Sequence, residues 1–507
     1  MQWETALLTL RRTLRSTRGG YPRSHTKGQG MGATPSFAQA NFGDLDLGDK
    51  RRTVRLVQSV EEMCRHPGGT LPDKLNQPAG LRGFYRLMNQ SEVTHKALMD
   101  GHTAQTRRSI EAVGSGTVLL LHDATELDYT SKKSLKGHLG QIGGGTGRGY
   151  ICHNSLAVRA DTGETLGLCS QILHHRAKVA KNEKPWQRRQ RKDRESRLWV
   201  EGAKASGPAP PGVRCVDISD SLSDTFEYLV YEVTQGRHFV LRAREDRHLA
   251  KPLLGPSRLF EAVRQLTIAG EHEVCVHDAP PKTTGRKLSP GRTGRITMCK
   301  VAFGPVRIAR PCKKVGEYHC SALDLWAVRV WEPVTPVGEE PLEWILLTNC
   351  PVLTIEQAFE CIHWYEQRWI VEEYHKAMKT GCSIESLQFE KIERLEPAIA
   401  LISAVATTLL RLRDAARAPD AETRPAGEVV DPVYVGVLAA HYAKRLPPRP
   451  MVKAFYMHVA RLGGHQNRKA DGPPGWITLW RGWMKLQAMV DGYTAAHLKN
   501  TDRSGKT

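Results

Sequence analysis

No Cys-x-x-Cys pair occurs anywhere in the 507 residues, and the eleven cysteines are scattered singly. This excludes a zinc ribbon and a disulfide framework and fits a reducing compartment. Long apolar runs are also missing. The longest nearly apolar stretch, Ala398 to Leu410, is bounded by Glu396 and Arg411. It is shorter than the roughly 18 to 20 residues that span a bilayer, so it predicts a buried helix and no membrane partner. Acidic residues are in deficit, 53 against 73 Lys plus Arg, which leaves a formal charge of +20. Such a surplus points to a polyanionic partner such as nucleic acid. The glycine-rich run from Gly143 to Gly149 lacks the Gly-Lys-Ser/Thr ending of a phosphate-binding loop and reads as a flexible loop. The adjacent His174 and His175 should point to opposite faces of a strand with no third ligand in view, which argues against zinc.

A composition of 40% hydrophobic and 25% charged residues rules out global disorder and fits two to four domains at roughly 100 to 200 residues each. Residues 1–35 are basic and rich in Gly, Pro and Arg with no apolar period, so they read as a disordered or non-native extension, with Met31 as an alternative start. Residues 36–112 carry helical periodicity through Leu56, Val60 and Met63 and again through Leu81, Phe84, Leu87 and Met88. The first of these helices opens with Lys50, Arg51, Arg52 and Arg55. A basic first turn opposes the helix dipole, so an external anion such as a DNA phosphate explains the cluster, and a solvated face remains the alternative. From 113 to 395, short apolar strands alternate with helical patterns, predicting a mixed α/β sheet interrupted by a β-rich insertion at about 250–340. Residues 178–197 form a basic run with one tryptophan, and 396–507 are helical again with Trp476, Trp480 and Trp483.

The stretch from Ile355 to about Thr380 reads as one long helix stopped by Gly381. At 100° per residue, Tyr365, Arg368, Glu372 and Lys379 fall within an arc of about 60° that His375 extends, with Ile370, Tyr374, Ala377 and Met378 opposite. By periodicity alone this is also what a solvated face looks like. The spacing itself, Tyr, two residues, Arg, three residues, Glu, six residues, Lys, in YEQRWIVEEYHKAMK over 365–379, resembles the Tyr-Arg-Glu-Lys signature of DDE transposases of the insertion-sequence family four, the group that includes the Tn-five transposase. The segments GDKRRTVRLVQ, AGLRGFYRLMNQ, PLEWILLTNCPV, HKAMKTGCSIE and GWITLWRGWMKLQ are similar as well, so the resemblance runs from about residue 36 to 497.

The resemblance implies a ribonuclease H-like fold with helical domains on both sides: a DNA-end-binding domain at 36–112 and a dimerisation region at 396–507. It also implies three carboxylates holding two Mg²⁺ ions, with Mn²⁺ able to substitute. The chemistry asks for such ligands, because paired hard cations take oxygen donors. Asp123, after the apolar run in VLLLHDATELDY, matches the first aspartate, with Asp128 as the local rival. In CVDISDSLSDTFEYL the family pattern places the second ligand at Asp220 and makes Asp224 a helix-entry residue. Ser221 departs from the arginine common after that aspartate, and Asp217 remains open as the ligand. Glu372 is the third, with Glu373 as rival. Tyr365, Arg368, His375 and Lys379 would then meet phosphates beside the reacting bond. Trp344 matches a tryptophan that stacks an unstacked base, and a core tryptophan on a strand is its alternative. The implied activity is cut-and-paste transposition on transposon ends and target DNA by a synapsed homodimer, in a cytoplasmic, nucleoid-associated setting of bacterial type. Two alternatives are a catalytically inactive DNA-binding descendant acting as a repressor and a nuclease on the same fold that never joins ends.

Overall fold

The computed structural model describes residues 35–177, 182–184, 187, 190–250, 255–276, 281–284, 287–312, 320–443, 445–468 and 473–504. The expected N-terminal extension, apart from Pro35, and part of the basic run at 178–197 lie outside the described residues. The chain forms two compact units. One comprises residues up to Gly101 with Glu373–Leu387 and Glu396–Thr507, and the other comprises His102–Glu372 with Gln388–Leu395.

The second unit is mixed α/β. Its strands are β1 (Thr117–Asp128), β2 (Gly140–Gln141), β3 (Arg148–Arg159), β4 (Thr165–His174), β5 (Arg214–Ser219), β6 (His238–Arg242), β7 (Gly270–Val276), β8 (Lys282–Thr284), β9 (Lys287–Ser289), β10 (Arg295–Ala309), β11 (Ala322–Trp331) and β12 (Glu343–Thr348). Apart from the β8-β9 hairpin they form one ten-stranded sheet in the order β2-β3-β1-β5-β6-β12-β11-β10-β7, with β4 added on β3. The β1-β5 and β5-β6 pairs are parallel and β1-β3 is antiparallel. Val118 to Leu121 are all buried, as expected where a sheet is covered on both faces and its strands read as continuous apolar runs.

Side chains alternate across a strand, so His122 and Asp123 leave β1 on opposite faces. Register extends the alternation. Ser155 lies opposite His122 on β3, and Leu120 is in register with Asp217 on β5. His122, Ser155 and Asp217 therefore share one face, and Asp123 and Asp220 share the other.

Helix α5 (His95–Glu111) enters this unit at His102. The buried His102 accepts a hydrogen bond at Nε2 from the Leu168 backbone N–H, 3.1 Å away. Thr106 packs so close to Gly167 that an added Cβ there would lie 2.2 Å from its hydroxyl, which makes glycine obligatory at a φ of +142°.

In the first unit, α1 (Phe37–Phe42), α2 (Lys50–Arg65), α3 (Leu71–Lys74) and α4 (Pro78–Leu87) bury Phe42, Leu56, Val60, Met63 and Phe84. Counting on past α6 (Leu198–Ser206), α7 (Phe226–Thr234), α8 (Leu259–Arg264), α9 (Ile355–Glu366) and α10 (Trp369–Lys376), the apolar stretch lies in α11 (Ile392–Arg417). Among the described residues α11 is the one helix long and apolar enough to cross a membrane, and 83% of its apolar window is buried. The helices α12 (Pro432–His441), α13 (Val452–Leu462) and α14 (Trp476–Ser504) complete the unit. Trp476 donates its indole N–H to the Leu409 carbonyl at 3.1 Å.

One sequence expectation needs correction: the continuous helix over 355–380 is broken. At Gln367–Arg368 the backbone bonds become Arg368 N–H to Tyr365 carbonyl and Ile370 N–H to Gln367 carbonyl, a tight turn of three-residue bonds. A π-helical turn follows over Ala377–Gly381, so the single arc drawn at constant pitch is re-phased at both places. Asp224 stands at the entry to α7, one residue before the cap Thr225, which accepts from the Tyr228 N–H, and it is held in an ion pair with Arg247 at 2.6 Å.

Burial pushes the pKa of His102 down to about 4 from 6.5. The unfolded chain therefore takes up this proton first, and the stabilisation present above about pH 6.5 is lost as pH falls towards 4. We expect acidification over that window to remove about 3 kcal/mol from the second unit, and His102→Gln to flatten this part of the pH profile in urea denaturation.

Candidate active site and nucleic-acid interface

The second unit brings most of the expected site residues together. Asp123 projects from β1 just beyond the last pair of the β1-β5 ladder, His122 with Ser219. Asp220 follows β5 directly and caps a short turn, accepting from the Leu222 N–H at 3.0 Å. Glu372 lies in the first turn of α10, with a carboxylate oxygen within 4.8 Å of one from Asp123. Arg368, in the break before α10, places Nη1 3.1 Å from Asp123 and 3.5 Å from Glu372.

The electrostatics follow from crowding like charges away from water. Burial, then the Asp220 charge and Glu372, push Asp123 up to about 7 against the pull of Arg368. Burial also raises Asp220, with Glu372 adding to it and Arg368 and the turn N–H groups opposing. Added positive charge there would favour the ionised form of both carboxyls. Oxygen donors in this number suit a hard divalent cation. His375, one helical turn after Glu372, has a ring nitrogen within 4.8 Å of the Glu372 carboxylate.

The rivals have other partners. Asp217 is fully buried and receives two hydrogen bonds from Arg237, at 2.8 and 2.9 Å. Burial would raise its pKa, but the Arg237 charge and the His122 hydrogen bond outweigh it and the net shift is downward. Glu373 pairs with Arg413 at 2.8 Å in the first unit. Asp128 is exposed and accepts from the Thr130 N–H at 2.8 Å. Tyr365 is buried with its ring centroid 5.4 Å from that of Trp344, edge to face, so the half-buried Trp344 adjoins the tyrosine that precedes Arg368. Lys379, in the π-turn, lies 3.4 Å from Glu385.

Two residues beside the carboxylates escaped the sequence reading. Asn154 faces Asp123 across the β1-β3 pair and accepts from the Gln171 amide at 2.9 Å, both being buried. Each is a large polar amide buried within a strand.

At the N-terminus, part of the basic cluster is matched internally. Asp49 caps α2, accepting from the Arg51 N–H and pairing with its side chain at 2.9 Å, which supplies the carboxylate that the helix dipole favours. Arg52 pairs with Glu92 at 2.7 Å. Lys50 and Arg55 stay exposed. Gly83 lets the Arg55 side chain lie across α4, because an added Cβ would sit 3.1 Å from its Nε. Arg82 and Arg86, which the sequence reading passed over, are exposed on that same helix.

Removing Arg368 leaves the carboxylates to repel one another. In metal-free buffer Arg368→Ala should cost about 1 to 3 kcal/mol at pH 8 and less at pH 5, where Asp123 is protonated. Thermal denaturation at the two pH values checks the difference.

Residues 34–93 match the family model described as transposase DNA-binding. The match covers α1 to α4 with all of these basic side chains, and it supports a DNA-binding transposase.

Proposed function

We propose that the chain is a cut-and-paste DNA transposase of the DDE type, in insertion-sequence family four with its Tyr-Arg-Glu-Lys signature and close in kind to the Tn-five transposase. The observation that carries the reading is that Asp123 and Glu372 both lie within 3.5 Å of Arg368, whose charge also acts on Asp220, in a chain that also has a transposase DNA-binding segment. A ribonuclease H-like core is supported by the placement of the first two carboxylates just beyond the last pair of the parallel β1-β5 ladder, with β3 antiparallel on the other side of β1.

The donor set fits two Mg²⁺ ions, because Asp123 and Asp220, whose charge burial and neighbouring carboxylates disfavour, sit with Glu372, an oxygen of which lies within 4.8 Å of one from Asp123. Bound there, the ions would activate an attacking oxygen and stabilise the leaving one. Asp123, Asp220 and Glu372 hold them. Arg368 turns from the carboxylates to a phosphate oxygen, where its planar fork is suited to bind. Tyr365, His375 and Lys379 complete the contacts along the phosphate backbone, and Trp344 offers an aromatic face to a displaced base. In this reading the helical segment with Lys50, Arg51, Arg52 and Arg55 grips the transposon end, the chain acts as a homodimer on two ends in a bacterial nucleoid, and 3′-OH release, hairpin formation, hairpin opening and strand transfer use one site.

The test uses DNA that flanks the coding region. Asp123→Ala, Asp220→Ala and Glu372→Ala should each abolish Mg²⁺-dependent strand cleavage while leaving affinity for the DNA within about threefold. Cleavage that survives EDTA, or survives in Asp220→Ala and fails in Asp217→Ala, would overturn the assignment. Binding without cleavage by the unaltered chain would favour the inactive descendant, and cleavage without joined product the nuclease.

Salt dependence tests the end-binding surface separately. Every basic side chain that no longer neutralises a DNA phosphate should flatten the plot of log affinity against log salt by about 0.9. We expect Lys50, Arg55, Arg82 and Arg86 changed together to Ala to show it, and an unchanged slope would return these residues to a solvated face.

A further inference from the structure

Behind the carboxylates, on the opposite face of the sheet, lies a buried polar chain that the proposed chemistry does not use. His122 is held at both ring nitrogens. Nδ1 lies 2.8 Å from the Ser155 hydroxyl on β3, and Nε2 lies 2.6 Å from Asp217 Oδ1 on β5. Ser170 on β4 donates to Ser155 at 2.8 Å. Arg237, at the entry to β6, holds both oxygens of Asp217, donates to the Gly207 carbonyl and lies 3.5 Å from Glu232. A serine, a histidine and an aspartate in this order have the makings of a nucleophilic triad. All three are fully buried, so no substrate meets them.

Their position gives them another task. The parallel β1-β5 ladder has its last pair at His122 and Ser219, one residue before Asp123 and Asp220. Beyond that point no ladder pair sets the separation of these two carboxylates. The side-chain tie from His122 to Asp217 spans the same two strands at that end, and the tie to Ser155 fixes β1 against β3. With two hydrogen-bonded ring nitrogens the imidazole cannot rotate, and the backbone of Asp123 is anchored through its neighbour. Functional constellations must be held to about 0.5 Å; β3 continues to pair with β1 past Asp123, but β5 ends at Ser219, so it is the spacing of Asp220 from Asp123 that the ladder leaves open.

We propose that His122 and Asp217, with Ser155 and Arg237 behind them, are positioning residues that set the spacing of Asp123 and Asp220 for divalent cations. The proposal rests on the metal-site reading given above. It assigns Asp217 a role from the back of the sheet and no contact with the ions.

The experiment titrates Mn²⁺ into the full chain and follows free Mn²⁺ by electron paramagnetic resonance, with circular dichroism confirming the folded state at low temperature. Asp217→Asn keeps the shape of the side chain and removes its charge. It should raise the Mn²⁺ dissociation constant about 10- to 100-fold, as loss of supporting partners does at other metal sites, whereas a role in stability alone would shift the melting temperature and leave the constant of the folded protein unchanged. Asp123→Ala is the companion. If it binds Mn²⁺ as the unaltered chain does, the metal-site reading and this proposal fall together. If it is weakened while Asp217→Asn is not, only the positioning role is overturned. Should Asp217→Asn fail to fold, Ser155→Ala carries the test by removing one hydroxyl from His122. A several-fold weaker constant supports the proposal, and an unchanged one overturns it.

Discussion

Carboxylates that converge out of reach of bulk water repel one another, and each must find a cation or give up its charge. That constraint sorts the acidic residues near the site. Asp217 has Arg237, Asp224 has Arg247 and Glu373 has Arg413, each pair well buried and satisfied. Among the described residues Asp123 and Glu372 have one guanidinium between them, Arg368, whose charge also reaches Asp220. In the proposed reading this surplus of negative charge is what draws divalent cations, and it separates the chosen residues from their sequence neighbours better than any spacing rule does.

The strand that carries Asp123 was legible because four consecutive apolar residues ending in His-Asp have few other uses. Asp217 and Asp220, three residues apart, were both open as the second ligand. Which of them would be paired was not legible. The answer lies with Arg237, twenty residues along the chain, and only the parallel docking of β6 on β5 brings it into reach. The same holds for Asp224 at the entry to α7, whose partners, Arg247 and the N–H groups of Arg244 and Glu245, lie further along the chain. Constant helical pitch led the reading astray at 367–368, where three-residue backbone bonds turn Arg368 inward. No propensity in Glu366-Gln-Arg-Trp369 announces that turn. The mixed sheet with helices on either side of it in the sequence was open to periodicity, whereas the match of residues 34–93 to a transposase DNA-binding model added a partner class that charge alone had only outlined.

At the DNA-binding segment a similar sorting operates on the opposite sign of charge. Asp49 and Glu92 neutralise Arg51 and Arg52, which leaves Lys50 and Arg55 with Arg82 and Arg86 on the neighbouring helix as exposed basic side chains. A paired arginine orders a helix start. An unpaired one is available to a phosphate.

The central claim is that three carboxylates, and not the buried aspartate behind them, take up the metal. Anomalous scattering from crystals of the full chain soaked in Mn²⁺ tests it most directly. Peaks bounded by Asp123, Asp220 and Glu372, with Asp217 still on His122 and Arg237, are the predicted result. Mn²⁺ bound to Asp217, or no Mn²⁺ among the three carboxylates at saturating concentration, would contradict it.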